Sequence, residues 1–165
     1  MDAPKRTNLA QTILVCAICT WLAVQIVVPM RNWWMPGNVA WNEVGHRFSW
    51  RMKLRSKRGV AKFVITDSSG KSWIEHPKDH LTHSQHWKMR CIPDMIWQFA
   101  QFIAEYHRAR GSDVQSVTAD VMCSLNGREP ARLINPDVDL LTINRDHSPV
   151  EWLLPLNVPL IANAD

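Results

Sequence analysis

The 165-residue sequence has little cysteine and little net charge, and each shortage excludes a class of protein. Four Cys are too few for a disulfide-rich secreted scaffold, and a net charge of +4 is too small to indicate a nucleic-acid binder. The chain contains no nucleophile elbow, no Gly-rich phosphate loop and no HExxH-type motif. We therefore expect no enzymatic activity and no cofactor. A hydrophobic content of 46% excludes a disordered chain and fits one domain, or one domain plus an appendage.

What the sequence has in excess is Trp, with nine against one Tyr and four Phe, and one long apolar segment. Residues 10–30 carry no charge, and a helix of that length reaches about 30 Å, the thickness of a bilayer's hydrocarbon core. Arg31, Trp33 and Trp34 follow at once, which is typical of a membrane–water interface. A signal peptide would need small residues at its cleavage site, and residues 27–34 supply none. A buried soluble helix is rarely apolar on every side over this length. An uncleaved transmembrane helix is therefore the favoured interpretation.

The apolar segment divides the chain into three parts. We predict an N-terminal tail and transmembrane helix at residues 1–31, an interfacial linker at 32–45 and an extramembrane domain at 46–165. The basic residues nearest to the span are balanced on its two sides, so charge leaves open which side of the membrane the domain occupies.

The extramembrane domain is predicted to be α+β, mainly antiparallel and strand-rich, with a sandwich-like arrangement and one or two helices. Alternating polar and apolar side chains predict strands at 46–55, 60–66, 71–74, 116–124 and 131–134. Turn sequences at 67–70 and 126–127 predict hairpins, and a segment that begins with Pro and ends with Gly predicts a helix over 93–111. Residues 135–165 are interrupted by Pro and predicted to be extended, and residues 76–90 have no decisive pattern.

Short motifs in one collinear order resemble a known family. They are Trp41, Gly45, Phe48-Ser49-Trp50-Arg51-Met52, Leu81-Thr82, Gln85, Trp87-Lys88, Cys123-Ser124-Leu125-Asn126, Pro136-Asp137-Val138-Asp139, Trp152 and Pro155-Leu156. This set resembles the extramembrane C-terminal region of the vitamin K-dependent gamma-carboxylase and its bacterial homologues, and it covers most of residues 30–157.

The resemblance implies a strand-rich domain on the lumenal or periplasmic side, following a transmembrane helix. In that family the carboxylation chemistry, with its catalytic lysine and quinol site, belongs to a preceding multi-helix membrane part. This chain has one span, and none of its positions matches the catalytic motif, so no catalytic residue is carried over. The resemblance therefore implies a bacterial inner-membrane protein with a periplasmic C-terminal domain that is not by itself a carboxylase.

Two groups of side chains, three His and four Cys, are candidates for metal binding or redox chemistry. His76, His80 and His83 would share one face of a helix, a spacing at which His can bind Zn or Cu, although Pro77 interrupts the segment. A solvated polar segment is the favoured interpretation. Cys16 and Cys19 have redox spacing but lie inside the apolar span, where small packing residues are expected. Cys91 and Cys123 can pair in an exported domain, and the sequence leaves this open.

Basic residues on one side of the predicted strand 46–55 are the candidate interaction surface. They are Arg47, Arg51, Lys53 and Arg55, and with Arg31, Trp33 and Trp34 at the end of the span they make up the predicted interaction residues. An ordinary solvated strand face is one interpretation, and docking on an acidic protein surface or on anionic lipid headgroups is the other. Nucleic acid is not expected, because no aromatic side chain lies on the basic side for base stacking.

Three functions remain. The favoured one is a non-catalytic, membrane-anchored accessory subunit that braces a larger integral-membrane complex, respiratory or photosynthetic, and touches other membrane subunits and the lipid bilayer. The second is the detached C-terminal part of a split gamma-carboxylase-like enzyme that engages a peptide substrate. The third is a free-standing periplasmic binding or metal-binding domain. Fold alone does not decide between them.

Overall fold

The computed structural model of the protein describes residues 8–34, 37–44, 48–50, 55–145 and 152–159. Helix α1 spans Leu9–Met30 and is followed by a 3-10 turn at Arg31–Trp34 and a short helix α2 at Val39–Asn42. Among the described residues, α1 is the one helix long and apolar enough to cross a membrane. Its side chains are exposed up to the last turn, so it does not pack into the core of its own domain.

The domain is built on one antiparallel sheet of four strands in the order β2-β1-β3-β4. The strands are β1 Lys57–Asp67, β2 Ser72–Glu75, β3 Val114–Leu125 and β4 Ala131–Arg132. The long strands β1 and β3 pair from Lys57–Leu125 to Asp67–Val114, while β2 covers only Phe63 to Thr66 of β1. The predicted α+β class and the predicted hairpins are confirmed. The second layer over the sheet, in the part described, consists of helices and not of another sheet.

Helix α4, at Pro93–Arg108, packs on one face of the sheet, and α3, at His83–Met89, precedes it. The ring of Phe99 on α4 lies 4.8 Å from that of Phe63 on β1, at the centre of the core. Alternate side chains of β3 are buried, because they point to the same face of the strand; these are Val117, Ala119, Val121 and Cys123. The predicted helix over 93–111 is confirmed as α4, although Phe102 on this helix is 45% exposed and does not join the core.

The opposite face of the sheet is open among the described residues. Val60 and Ile74 are 58% and 59% exposed, and Met122 lies opposite Val60 in the register. This face therefore presents apolar side chains to its surroundings.

The prediction of a strand over residues 46–55 was wrong for residues 48–50, which the structure describes. Residues 48–50 form a turn, and Phe48 has a φ of 58°, which belongs to the left-handed region and not to extended backbone. Phe48 and Trp50 are 78% and 69% exposed, so the alternation did not mark a buried face. The remaining residues of this segment up to Leu54 lie outside the described residues.

The undecided segment contains a capped helix. The Thr82 side chain accepts a hydrogen bond from the Gln85 backbone N–H, and the Gln85 side chain accepts one from the Thr82 backbone N–H. This capping box starts α3, because it satisfies backbone donors that a helix N-terminus leaves unpaired. A 3-10 turn at Pro77–Asp79 precedes it.

Candidate functional site

A cleft with a volume of about 180 Å³ lies where the end of α2, the start of β1 and the end of α3 meet. Cationic side chains dominate its lining, with four against one carboxylate. The residues concerned are Arg55, Lys57, Lys88, Arg90 and Glu43, and Trp87 also lines the cleft. We refer to it as the basic cleft.

Lys57 is the buried centre of the basic cleft. Its Nζ donates hydrogen bonds to the Trp41 carbonyl oxygen at 2.6 Å, to Glu43 Oε1 at 2.9 Å and to the Cys91 carbonyl oxygen at 3.1 Å. Burial lowers the pKa of the Lys57 ammonium below its ordinary value of 10.5, and the Glu43 carboxylate only partly offsets this effect. An ammonium group has three N–H donors, and three acceptors use them, so Lys57 acts as a clamp between three segments.

The Glu43 carboxylate pairs with two cationic side chains. Oε1 accepts from Lys57, and Oε2 lies 2.7 Å from an Arg55 guanidinium nitrogen. Glu43 follows α2 with a φ of 64°, a left-handed conformation that a helix C-cap often adopts. The Glu43 side chain lies beside the start of β1, where Lys57 and Arg55 bind it.

Two guanidinium groups at the basic cleft have hydrogen-bonding capacity left over. Arg55 Nη1 and Arg90 Nε are buried and have no acceptor in the part of the chain that the structure describes. A buried donor without a partner costs about 1–3 kcal/mol. The Arg90 guanidinium lies 3.9 Å from the centre of the Trp87 ring, a cation–π contact that holds it in position. The cleft can therefore accept an anionic group.

A disulfide bond closes one side of the basic cleft. Cys91, between α3 and α4, is bonded to Cys123 on β3, with 6.0 Å between their Cα atoms. Gly59 lies opposite Cys123 in the register, and a Cβ at Gly59 would collide with the Met122 carbonyl oxygen and the Cys91 sulfur. The pairing that the sequence left open is thus present. Cys16 and Cys19 are free thiols on the exposed surface of α1.

A second polar cluster lies at the β2 edge of the sheet. Glu75 is the last residue of β2. Its carboxylate forms two hydrogen bonds, one between Oε1 and His80 Nε2 at 2.5 Å and one between Oε2 and His107 Nε2 at 3.2 Å. The His80 ring also contacts the Tyr106 ring on α4 at 4.9 Å. Partial burial raises the pKa of the Glu75 carboxyl, but hydrogen bonds from the two His outweigh it and bring the pKa below 4.5. The carboxylate therefore ties β2 to α4.

The three candidate His ligands do not come together. His80 binds Glu75, whereas His76 and His83 are exposed, because a 3-10 turn and a new helix replace the single helix that the spacing assumed. No group of three or more His, Cys, Asp or Glu side chains in the described ranges is arranged to hold a metal ion. His107 was not predicted as part of this cluster, because no local sequence pattern connects it to Glu75.

The predicted interaction residues divide into three groups. Arg55 lines the basic cleft. Trp33 and Trp34 are 74% and 70% exposed in the 3-10 turn that Arg31 begins. The other three lie outside the described residues: Arg47, Arg51 and Lys53.

Acid is expected to destabilise the domain through Glu75. Its carboxylate contributes stability above the unfolded-state pKa, and this contribution is lost as the pH falls through the lower folded-state pKa. We expect Glu75→Gln to lower the free energy of unfolding by about 1–2 kcal/mol at pH 7, and by progressively less below pH 4.5. Urea unfolding of the full chain in detergent across this pH range measures the difference. Glu105→Gln, an exposed site on α4, is the control, and a pH-independent difference would contradict the assignment.

A family model described as the vitamin K-dependent gamma-carboxylase lumenal domain matches residues 10–158, which include most of α1 and most of the domain. No curated protein and no solved structure matches the chain.

Proposed function

Because the chain belongs to the family of the vitamin K-dependent gamma-carboxylase lumenal domain, we propose that it is a non-catalytic, membrane-anchored subunit that braces a larger integral-membrane complex. The host complex is a bacterial inner-membrane assembly, respiratory or photosynthetic, and the domain lies on its periplasmic side. The Cys91–Cys123 disulfide supports this location, because disulfides persist in oxidising compartments.

The observation that carries the proposal is the uncovered surface of α1. Its side chains are exposed from Leu9 to Val28, so its apolar surface is available to lipid or to other spans. One side of the helix carries small side chains, which allow a neighbouring helix to approach closely. These are Cys16, Cys19, Thr20 and Ala23, and they share a face at helical spacing. Leu14 and Ile18 lie on the other side.

Photocrosslinking in membranes tests the proposal. A diazirine amino acid at Cys16 is expected to crosslink to one discrete membrane protein, and the same group at Leu14, at a similar depth on the opposite side, to lipid. Purification in mild detergent followed by mass spectrometry identifies the partner. Respiratory or photosynthetic subunits support bracing. Isolation of the chain alone, with no protein crosslinked from Cys16, would overturn it.

The family match favours a second candidate, the detached C-terminal part of a split gamma-carboxylase-like enzyme that engages a peptide. The same purification separates the two functions, because this candidate requires a multi-span, carboxylase-like partner. Carboxylation of a peptide by the reconstituted pair, and by neither chain alone, would support it over bracing.

A further inference from the structure

We infer that the basic cleft binds the phosphate of an anionic phospholipid headgroup. This inference does not rest on the proposed bracing function, since a domain held at the membrane can bind a headgroup whether or not α1 has a protein partner. It concerns a site on the domain and not the lipid that surrounds the span.

The charge and hydrogen bonding of the cleft indicate an oxyanion. The cleft holds four cationic side chains and a single carboxylate, and Lys57 and Arg55 already engage that carboxylate. The donors left over are Arg55 Nη1 and Arg90 Nε, which find no acceptor within the described ranges. Both arginines are only partly buried and line the cleft, so these donors belong to side chains that reach its surface. A guanidinium is well suited to a phosphate because its planar N–H groups match adjacent oxygens.

The surroundings of the cleft favour a lipid over free phosphate. Trp87 lines the cleft and is 54% exposed, and it stacks on Arg90. An exposed Trp beside cationic side chains is typical of proteins at the membrane–water interface. Glu43 lies 13 residues after the last residue of α1, so the chain itself keeps the cleft within about 45 Å of the span along the backbone. Tethering at this range raises the effective concentration of headgroups at the site.

The test measures lipid binding to the full chain. The protein is purified in a neutral detergent and titrated with phosphatidylglycerol or with phosphatidylcholine of the same acyl chains, and native mass spectrometry counts the bound lipids. We expect Arg90→Gln to weaken phosphatidylglycerol binding about five-fold, the effect of one cation near an anionic surface. Lys88→Gln, an exposed residue with no buried contact to lose, is expected to act in the same direction if Arg90→Gln does not fold.

The control removes a cation elsewhere. Arg132→Gln, on β4 and paired with Asp120 outside the cleft, is expected to leave lipid binding unchanged. Equal binding of the two lipids, or equal phosphatidylglycerol binding by wild type and both cleft variants, would overturn the inference. Inorganic phosphate that competes as well as phosphatidylglycerol would also overturn it, because the site would then be one for the free anion.

Discussion

Lys57→Met is expected to lower the free energy of unfolding of the domain by about 3–5 kcal/mol, the range for removing one partner from a buried ion pair. Only 7% of the Lys57 side chain is exposed, and its ammonium binds two carbonyl oxygens as well as the Glu43 carboxylate. Methionine has a similar shape but donates no hydrogen bond, so the two carbonyl oxygens lose this donor and Glu43 keeps only its ion pair with Arg55. Chemical unfolding of the full chain in detergent, followed by the fluorescence of its nine Trp, of which Trp41 is buried in the domain core, measures the loss.

Lys62→Met is the matched control, because Lys62 lies on the same strand with an exposed side chain. We expect a change of at most about 0.5 kcal/mol for this surface position. If both variants lost the same stability, the buried hydrogen bonds of Lys57 would not be its main contribution.

Removing the disulfide is expected to have a comparable effect. Cys91 and Cys123 are 32 residues apart in sequence, and a crosslink that closes a loop of this length stabilises the folded state by about 3–4 kcal/mol. The double variant Cys91→Ala with Cys123→Ala should lose this amount, and a reductant should have the same effect on wild type. The unfolding midpoint in urea measures it.

The two cysteines of α1 provide the control for this experiment. Cys16→Ala with Cys19→Ala should leave the unfolding midpoint of the domain unchanged, because both thiols are free and exposed on the helix. A double variant at Cys91 and Cys123 that was as stable as wild type, with no response to reductant, would contradict the stabilising role of the bond.

The turns and helices that are determined by residues close together in sequence could be predicted. The φ values of Asn126 and Gly127 are 52° and 80°, and an Asn-Gly sequence adopts such positive values at low cost, so its turn was predictable. The helix from Pro93 was predictable because its apolar face repeats at helical spacing. The capping box of Thr82 and Gln85 is also a local signal, since Thr followed three residues later by Gln is typical of a helix N-terminus.

Contacts between distant segments could not be predicted in this way. Glu75 binds His107 across 32 residues, and Lys57 binds the carbonyl of Cys91 across 34. Lys57 lies just beyond the basic residues of segment 46–55, and its burial could not be predicted, because a charged side chain is rarely buried without a partner and its partners lie far away in sequence. The same reasoning explains why the basic cleft was not predicted, although Arg55 was among the predicted interaction residues.

The false strand before Arg55 has a different cause. Cations that alternate with aromatic and aliphatic side chains have the same period as a half-buried strand, yet Phe48 and Trp50 are exposed. Periodicity records which side chains alternate and not what covers them. The family resemblance, by contrast, depended on ordered motifs and is confirmed by the match to residues 10–158.

The difference in length between β1 and β2 has a consequence for self-association. From Lys57 to Lys62 the outer edge of β1 has no strand partner among the described residues, and such an edge is a template for aggregation. If two copies paired antiparallel around Val60, Arg58 of each copy would lie opposite Lys62 of the other. Like charges directly opposite each other repel, so these two cations protect the uncovered edge and help keep the chains from joining edge to edge.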